Sequence, residues 1–184
     1  MSRFVPVKIL VDTITATVLF VMLIPLLLVV SILIIVFDFQ SPLFMQERIG
    51  YGKHPFTIFK LQTMKKGKVT VFGKILRSTG IDELPQLLNI IFFEMSFVGP
   101  RPLTKSDIVR LGWDDDYHKK RWNVKPGIVG LAQLSPVCNQ KMSWFYDNLY
   151  VKHNNLWLDT KIFFAAMLIP LLGKKKIQNW IHKG

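Results

Sequence analysis

Asp82 and Glu83 stand side by side in "RSTGIDELPQLLNIIFF", residues 77–93, just before an apolar stretch. Acidic helix starts are commonplace, because a carboxylate caps free N–H groups and meets the positive end of the helix dipole. Taken alone, the pair carries only that meaning. Its neighbours add to it. Arg77 lies five residues earlier, and Arg101 follows in "FVGPRPL", bracketed by Pro100 and Pro102. A helix N-terminus with guanidinium groups at hand is a seat for phosphate. Carboxylates belong in such a seat only if something offsets the repulsion between anions. A divalent cation does so, and Mg²⁺ typically takes one or two carboxylates together with substrate phosphates. A carboxylate with a pKa of about 4 is ionised at neutral pH, so it can attack phosphorus without a base and form an acyl phosphate. These residues permit phosphoryl-type transfer without singling it out. The alternative is a membrane-tethered protein that only binds anionic lipid or nucleic acid.

Several local elements must position these groups. Residues 42–64 read as two short strands, "LFMQ" and "FTIFKL", joined by the turn residues "GYGKHP". "KKGK" is a basic turn, and residues 72–78 are predicted to form a short helix that delivers Arg77. Asp82 is expected to cap a helix from 83 to about 94, with Pro85 in its first turn and Leu84, Leu87, Leu88 and Ile91 on its core face. The prolines around Arg101 keep its backbone extended. "WDDDYHKKRWNV" is expected to be a helix running from its aspartates to its lysines. "KPGIVGLAQL" reads as a loop leading into a strand, and Asp114, Asp115 and Asp116 as a solvated charge run. Trp144, Phe145 and Tyr146 are read as packing residues, and Cys138 as an ordinary loop thiol. Residues 162–172 are too short an apolar run to span a bilayer. They suit an interfacial helix, around 159–172, with Lys174, Lys175 and Lys176 reaching lipid headgroups.

Residues 13–37 form 25 positions without a charge. A straight helix of that length reaches roughly 38 Å, enough to cross a hydrocarbon core of about 30 Å. Two features favour a re-entrant hairpin over a crossing. Pro25 interrupts the run after Ile24, and positive residues flank it on both sides: Arg3 and Lys8 before, and Arg48, Lys53, Lys60, Lys65, Lys66 and Lys68 after. Positive flanks mark the cytoplasmic side, so a helix that breaks and returns keeps both ends on one face. Lys8 and Asp12, four apart, are read as a headgroup-level pair. The expected organisation is a membrane hairpin over 1–38 and a small α+β catalytic domain over 39–184.

One Arg and one Lys of the 24 basic residues, and one of the 12 acidic ones, precede Asp38, leaving net +11 for the remainder. That excess calls for an anionic partner. A single cysteine excludes an internal disulfide, and four scattered histidines give no zinc-like cluster.

The run "FGKILRSTGIDELPQLLNIIFFEMSFVGPRPL", with "FMQERIG" and "FKLQTM" before it and "KPGIVGLAQL" after it, resembles the bacterial sugar transferases, the monotopic phosphoglycosyl transferases. The likeness covers nearly the whole chain. It implies transfer of a phospho-sugar from a UDP-sugar to polyprenol (undecaprenyl) phosphate, with release of UMP, at the cytoplasmic face of a bacterial inner membrane. Membrane lipids are then partners and nucleic acid is not. The resemblance makes Asp82 the nucleophile of a two-step reaction and assigns Mg²⁺ to Asp82 and Glu83. It places Lys60, Arg77, Arg101, Arg121, Lys125 and Gln133 near the phosphates or nucleotide. Two departures stand out. Ile24–Pro25 replaces the Ser-Pro common at the helix break. "LSPVCNQKMSW" lacks the Gly-Arg pair that often follows "GLAQ" in the family, which leaves Lys141 as the candidate substitute.

Overall fold

The computed structural model describes residues 4–135 and 139–172. Helix α1, Phe4–Leu33, continues into a π-helical turn, Ile34–Asp38. Strands β1, Leu43–Ile49, and β2, Pro55–Leu61, pair antiparallel, with Leu43 opposite Leu61 and Ile49 opposite Pro55. A tight hairpin follows, β3, Met64–Lys65, and β4, Lys68–Val69. Next come α2, Val71–Thr79, a 3-10 turn, Ile81–Gln86, and α3, Leu87–Ile91. Then β5, Ser96–Val98, α4, Lys105–Leu111, and a second 3-10 turn, Lys119–Asn123. The rest is β6, Gly127–Val129, and helices α5, Leu131–Leu134, α6, Gln140–His153, and α7, Leu156–Leu172. Helices and small two-stranded sheets make this an α+β fold. The strand pair and the helix carrying Arg77 sit where the sequence placed them.

The apolar N-terminus differs from expectation. The stretch Pro6–Asp38 is long and apolar enough to cross a membrane, but α1 is not divided into two arms. Its helical assignment runs through Ile24 with Pro25 inside. Along one side it is part of the globular core. Ala16 is fully buried with Ile162 and Ala165, while Leu19, Phe20 and Leu23 pack on the same cluster. Val30 and Ile34 join Leu61 and Leu76. On the other side Leu10, Val21, Met22, Leu28 and Ile32 are exposed.

Both ends of this helix are tied to the domain by polar contacts. At the far end, Thr70 donates to Asp38 Oδ2 at 2.8 Å, and Lys65 Nζ donates to the Asp38 carbonyl at 2.6 Å. At the near end, Lys8 donates to Asp159 of α7, and the Ser96 hydroxyl of β5 donates to Asp12 at 2.5 Å. Lys8 and Asp12 pair at 3.6 Å, are largely buried (14 % and 13 % exposed) and also dock the helix onto the domain.

Glycines explain how two distant loops reach one place. β5 and β6 run parallel, with Gly99 N–H donating to Val129 at 2.9 Å and Gly127 N–H to Pro100 at 3.0 Å. A Cβ on Gly99 would lie 2.3 Å from the Lys125 carbonyl, and one on Gly127 would lie 2.1 Å from Gly99 N. No other residue permits so close an approach, which is why "VGPRP" and "KPGIVG" interlock.

Four local expectations change. Asp82 is not an N-cap. Gly80, at φ 73°, opens the segment, and the Glu83 N–H donates to its carbonyl at 3.1 Å. Pro85 has no N–H to bond back to Ile81, so a 3-10 turn precedes the short α3. The core face becomes Leu87 and Ile90, with Leu84 and Leu88 half-buried. In "WDDDYHKKRWNV" only Lys119–Asn123 is helical, because Asp115 accepts the His118 N–H at 2.9 Å and closes a turn. In "KPGIVGLAQL" the strand comes first and a helical turn follows. α7 starts at Leu156 rather than near 159. Cys138 and the lysines at 174–176 lie outside the described residues.

Candidate active site

A cleft of about 610 Å³ opens between the β1–β2 pair, α2 and the turn after Gly80. It is lined by Asp82, Glu83, Lys60, Arg77 and Arg101, all expected from the sequence, and by Arg48 and Thr63, which were not. Asp82 is 8 % exposed. Glu83 stands more open, and its Oε1 accepts from Lys60 Nζ at 2.6 Å. Arg77 Nε donates to the Thr63 hydroxyl at 2.9 Å.

Each side chain arrives by a local device. Thr70 caps α2 by accepting the Gly73 N–H at 2.9 Å. Gly73 lets that helix start press against Thr63, where a Cβ would stand 2.2 Å from the carbonyl oxygen. Arg77 thereby comes over the strand pair. The segment after the dyad is anchored by Asn89 of α3, which is fully buried. Its side chain accepts the Phe59 N–H at 3.1 Å and donates to Thr57 O at 2.6 Å and to Glu94 at 2.7 Å. This locks α3 to β2, the strand that supplies Lys60.

Burial pushes the Asp82 carboxyl above its usual range and adjacent Glu83 pushes the same way, while Lys60, Arg77 and a backbone N–H pull it back. The anionic form is short of compensating charge. Among the described residues, no group of three or more His, Cys, Asp or Glu side chains could enclose a metal. Two adjacent carboxylates suit a Mg²⁺ that arrives with phosphate oxygens, not a closed all-protein site.

The structure separates the remaining expected residues. Gln133 lies beside Arg101, Arg48 and Gln86 in a narrow extension of the cleft. Arg121 does not face it. It is 3 % exposed, with Nε donating to Asp147 at 2.8 Å and Nη2 to the Arg101 carbonyl at 2.6 Å, between Trp113 and Trp122. Its charge is taken by Asp147, and what it holds is the backbone of Arg101. Lys125 lines a different cavity of about 300 Å³ with Lys8, Asp12 and Tyr150, and its Nζ sits over Phe93. Burial lowers its affinity for its proton. Lys141 is exposed on the first turn of α6 and is not among the residues lining the cleft. Trp144 packs beside Trp113 and His118, and Asp114 pairs with Lys53 at 2.7 Å rather than with a metal cluster. The signal for Arg48 was its place in "FMQERIG", where it counted only as a flanking charge.

A family model for bacterial sugar transferases matches residues 2–172. Several curated proteins are similar to this chain. A UDP-glucose:undecaprenyl-phosphate glucose-1-phosphate transferase of Klebsiella pneumoniae is 31 % identical over 184 residues, covering 89 % of this chain and 40 % of that protein. One of the same name from Caulobacter vibrioides is 34 % identical, covering 85 % of this chain and 66 % of that protein. An uncharacterized sugar transferase of Bacillus subtilis is 35 % identical, covering 77 % and 76 %. The chain spans about two fifths of the length of the Klebsiella relative.

Proposed function

Because the chain belongs to the bacterial sugar transferase family, we propose that it transfers a phospho-sugar from a UDP-sugar to polyprenol phosphate, releasing UMP, as a membrane step of surface-glycan assembly. The observation that carries this reading is Asp82, a buried carboxylate opening on a cleft that also holds Glu83, Lys60, Arg77 and Arg101. A basic surface that merely binds lipid or nucleic acid has no use for a carboxylate held there against its own desolvation.

Asp82 attacks the sugar-bearing phosphorus. An Oδ–P bond forms and the P–O bond to the nucleoside monophosphate breaks, its electron pair leaving with UMP. A phosphate oxygen of the polyprenol then attacks the same phosphorus and restores the free carboxylate. Lys60 holds Glu83 in place, and Arg77 and Arg101 balance charge on the phosphates. Mg²⁺ held by Asp82 and Glu83, when bound, would neutralise diphosphate oxygens. Burial of Asp82 keeps water from competing for the phosphorus.

The reaction needs a soluble donor and a lipid acceptor at one place. A helix of 30 residues is about 45 Å long if straight, yet α1 touches one globular body from Lys8 through Asp38. That supports a chain held at one membrane surface along the whole of α1, monotopic on the cytoplasmic face of the inner membrane. The test incubates purified protein with polyprenol phosphate and UDP-glucose, UDP-galactose or UDP-N-acetylgalactosamine, with Mg²⁺ or with EDTA. The expected result is UMP release with Mg²⁺, none with EDTA, and a phospho-sugar adduct on Asp82 when the acceptor is withheld. Mg²⁺-dependent turnover by Asp82→Ala would refute it.

A further inference from the structure

Arg48 is a guanidinium in the cleft that the chain's own groups leave short of partners. It stands on β1 opposite Phe56, and its side chain is 15 % exposed. Nη2 donates to the neutral Gln46 Oε1 at 2.6 Å. Nη1 reaches the Pro102 carbonyl and Asp107 Oδ2, each only at 3.4 Å. Nε is buried without a partner. Asp107 is committed elsewhere, accepting from the Thr104 hydroxyl and from Arg110 at 2.8 Å each.

The group that does approach Arg48 has the same sign. Arg101 lines both the cleft and its narrow extension with Arg48. Among the described residues Arg101 makes no salt bridge. Burial weakens Arg48's hold on its proton and the Arg101 charge adds to this, with Asp107 opposing. Two guanidinium groups in a confined space, one with a buried N–H unused, leave room for one kind of completion: an anion with several acceptor oxygens between them. The seat is the part of the 610 Å³ cleft that Arg48 and Arg101 line beside Lys60. The narrow extension behind them, lined also by Glu83, Gln86 and Gln133, has space for about one water and does not hold the anion.

We propose that Arg48 and Arg101 together hold the phosphate of the departing nucleoside monophosphate, while the phosphorus under attack lies at the Asp82–Arg77 end. This rests on the transfer reaction above and assigns its leaving-group site. As the P–O bond breaks, the new negative charge on the leaving phosphate falls between two fixed cations. Because attacking and leaving oxygens stand in line, the acceptor phosphate enters the same seat opposite Asp82 in the second half-reaction. Arg48→Lys keeps the charge but loses the planar fork.

The test separates the halves by rapid quench, using the full chain in detergent and whichever of the three UDP-sugars the wild type turns over. For Arg48→Gln, adduct formation with donor alone is expected to slow about 10–100-fold. Inhibition by added UMP should weaken by a similar factor. Discharge of preformed adduct by polyprenol phosphate should slow as well, with a wild-type melting curve, and Arg48→Lys should fall between. If only discharge slows and UMP inhibition is unchanged, the anion is the acceptor's alone and the assignment is overturned. Unchanged rates in both halves, or slowed rates with UMP inhibition unchanged, overturn it too. Should Arg48→Gln not fold, Arg48→Lys carries the same test, read by whether UMP raises its melting temperature less than that of wild type. Failure of the transfer reading looks different: the wild type itself forms no adduct and releases no UMP.

Discussion

Asp159 and Asp82 are buried to nearly the same degree, 7 % and 8 % exposed, and each has a lysine in its surroundings. Their environments differ in what is left over. Asp159 receives Lys8 on one oxygen and lies 2.8 Å from the Tyr150 hydroxyl with the other. Lys8 in turn reaches Asp12, which Ser96 also bonds. Burial still raises the Asp159 carboxyl, but Lys8 and Tyr150 work against it with direct hydrogen bonds. Around Asp82 the lysine is already given to Glu83, Arg77 bonds Thr63, and Arg101 has no carboxylate among the described residues. One cluster closes on itself and fastens a helix. The other keeps unspent charge of both signs facing a cleft, the arrangement a charged substrate with its own cation can complete.

The sharpest way to break the contrast is Asp82→Asn. Turnover and adduct formation should fall by about 10³-fold or more, with a melting temperature equal to or above wild type because a costly buried charge is gone. A destabilised variant would place Asp82 with the docking groups. The next effect belongs to Arg121 and Asp147, a second closed pair, both 3 % exposed. Arg121→Met alone should cost about 3–5 kcal/mol in denaturant unfolding by stranding Asp147, and Arg121→Met with Asp147→Leu should recover most of it. Equal losses in single and double variants would contradict the pairing.

Asp159→Asn should cost about 1–3 kcal/mol by leaving Lys8 poorly satisfied. It should raise hydrogen exchange at the start of α1 and leave turnover within a few-fold. A large loss of turnover at normal stability would mean this end of α1 takes part in the chemistry. The smallest effect concerns Asp107. Burial opposes its ionised form, but the Thr104 hydroxyl and N–H and Arg110 outweigh that and hold the carboxyl below its usual range. A depressed folded pKa gives stability that is present above the unfolded value, about 4, and is lost as pH falls through the folded one. Thr104→Val, which also breaks the capping box of α4, should cost about 1 kcal/mol at neutral pH. Its melting curve should draw closer to that of wild type in acid without meeting it, because the cap bond from the Asp107 N–H to Thr104 does not depend on pH.

How far the sequence reached depends on the range of the interaction. The β1–β2 pair, the Thr70-led helix and the extended "GPRP" loop follow from side-chain alternation, capping and proline sterics, all within a few residues. Arg77, Asp82, Glu83 and Arg101 were legible as candidates because a short, dense motif carries them, and Lys60 came in only through the family resemblance. The start of the dyad segment misled because two local signals compete there. Asp82 and Pro85 read as cap and first turn, but Gly80 in a left-handed conformation takes the cap and Pro85 denies the bond an α-turn needs. The remote partners of Arg121 and Lys125, and the further partners of Lys8 and Asp12, were not legible; Lys8 and Asp159 are separated by 151 positions.

By itself the amino-acid sequence determined which groups can ionise, where apolar surface must be hidden and where the backbone can bend, since these are properties of residues and their near neighbours. Only the tertiary structure decided which charges find a counter-charge and which are left for a ligand. Desolvation and Coulomb energy depend on what stands across a gap of a few ångströms, and in this fold that is set by distant segments brought together at Gly99, Gly127 and along α1.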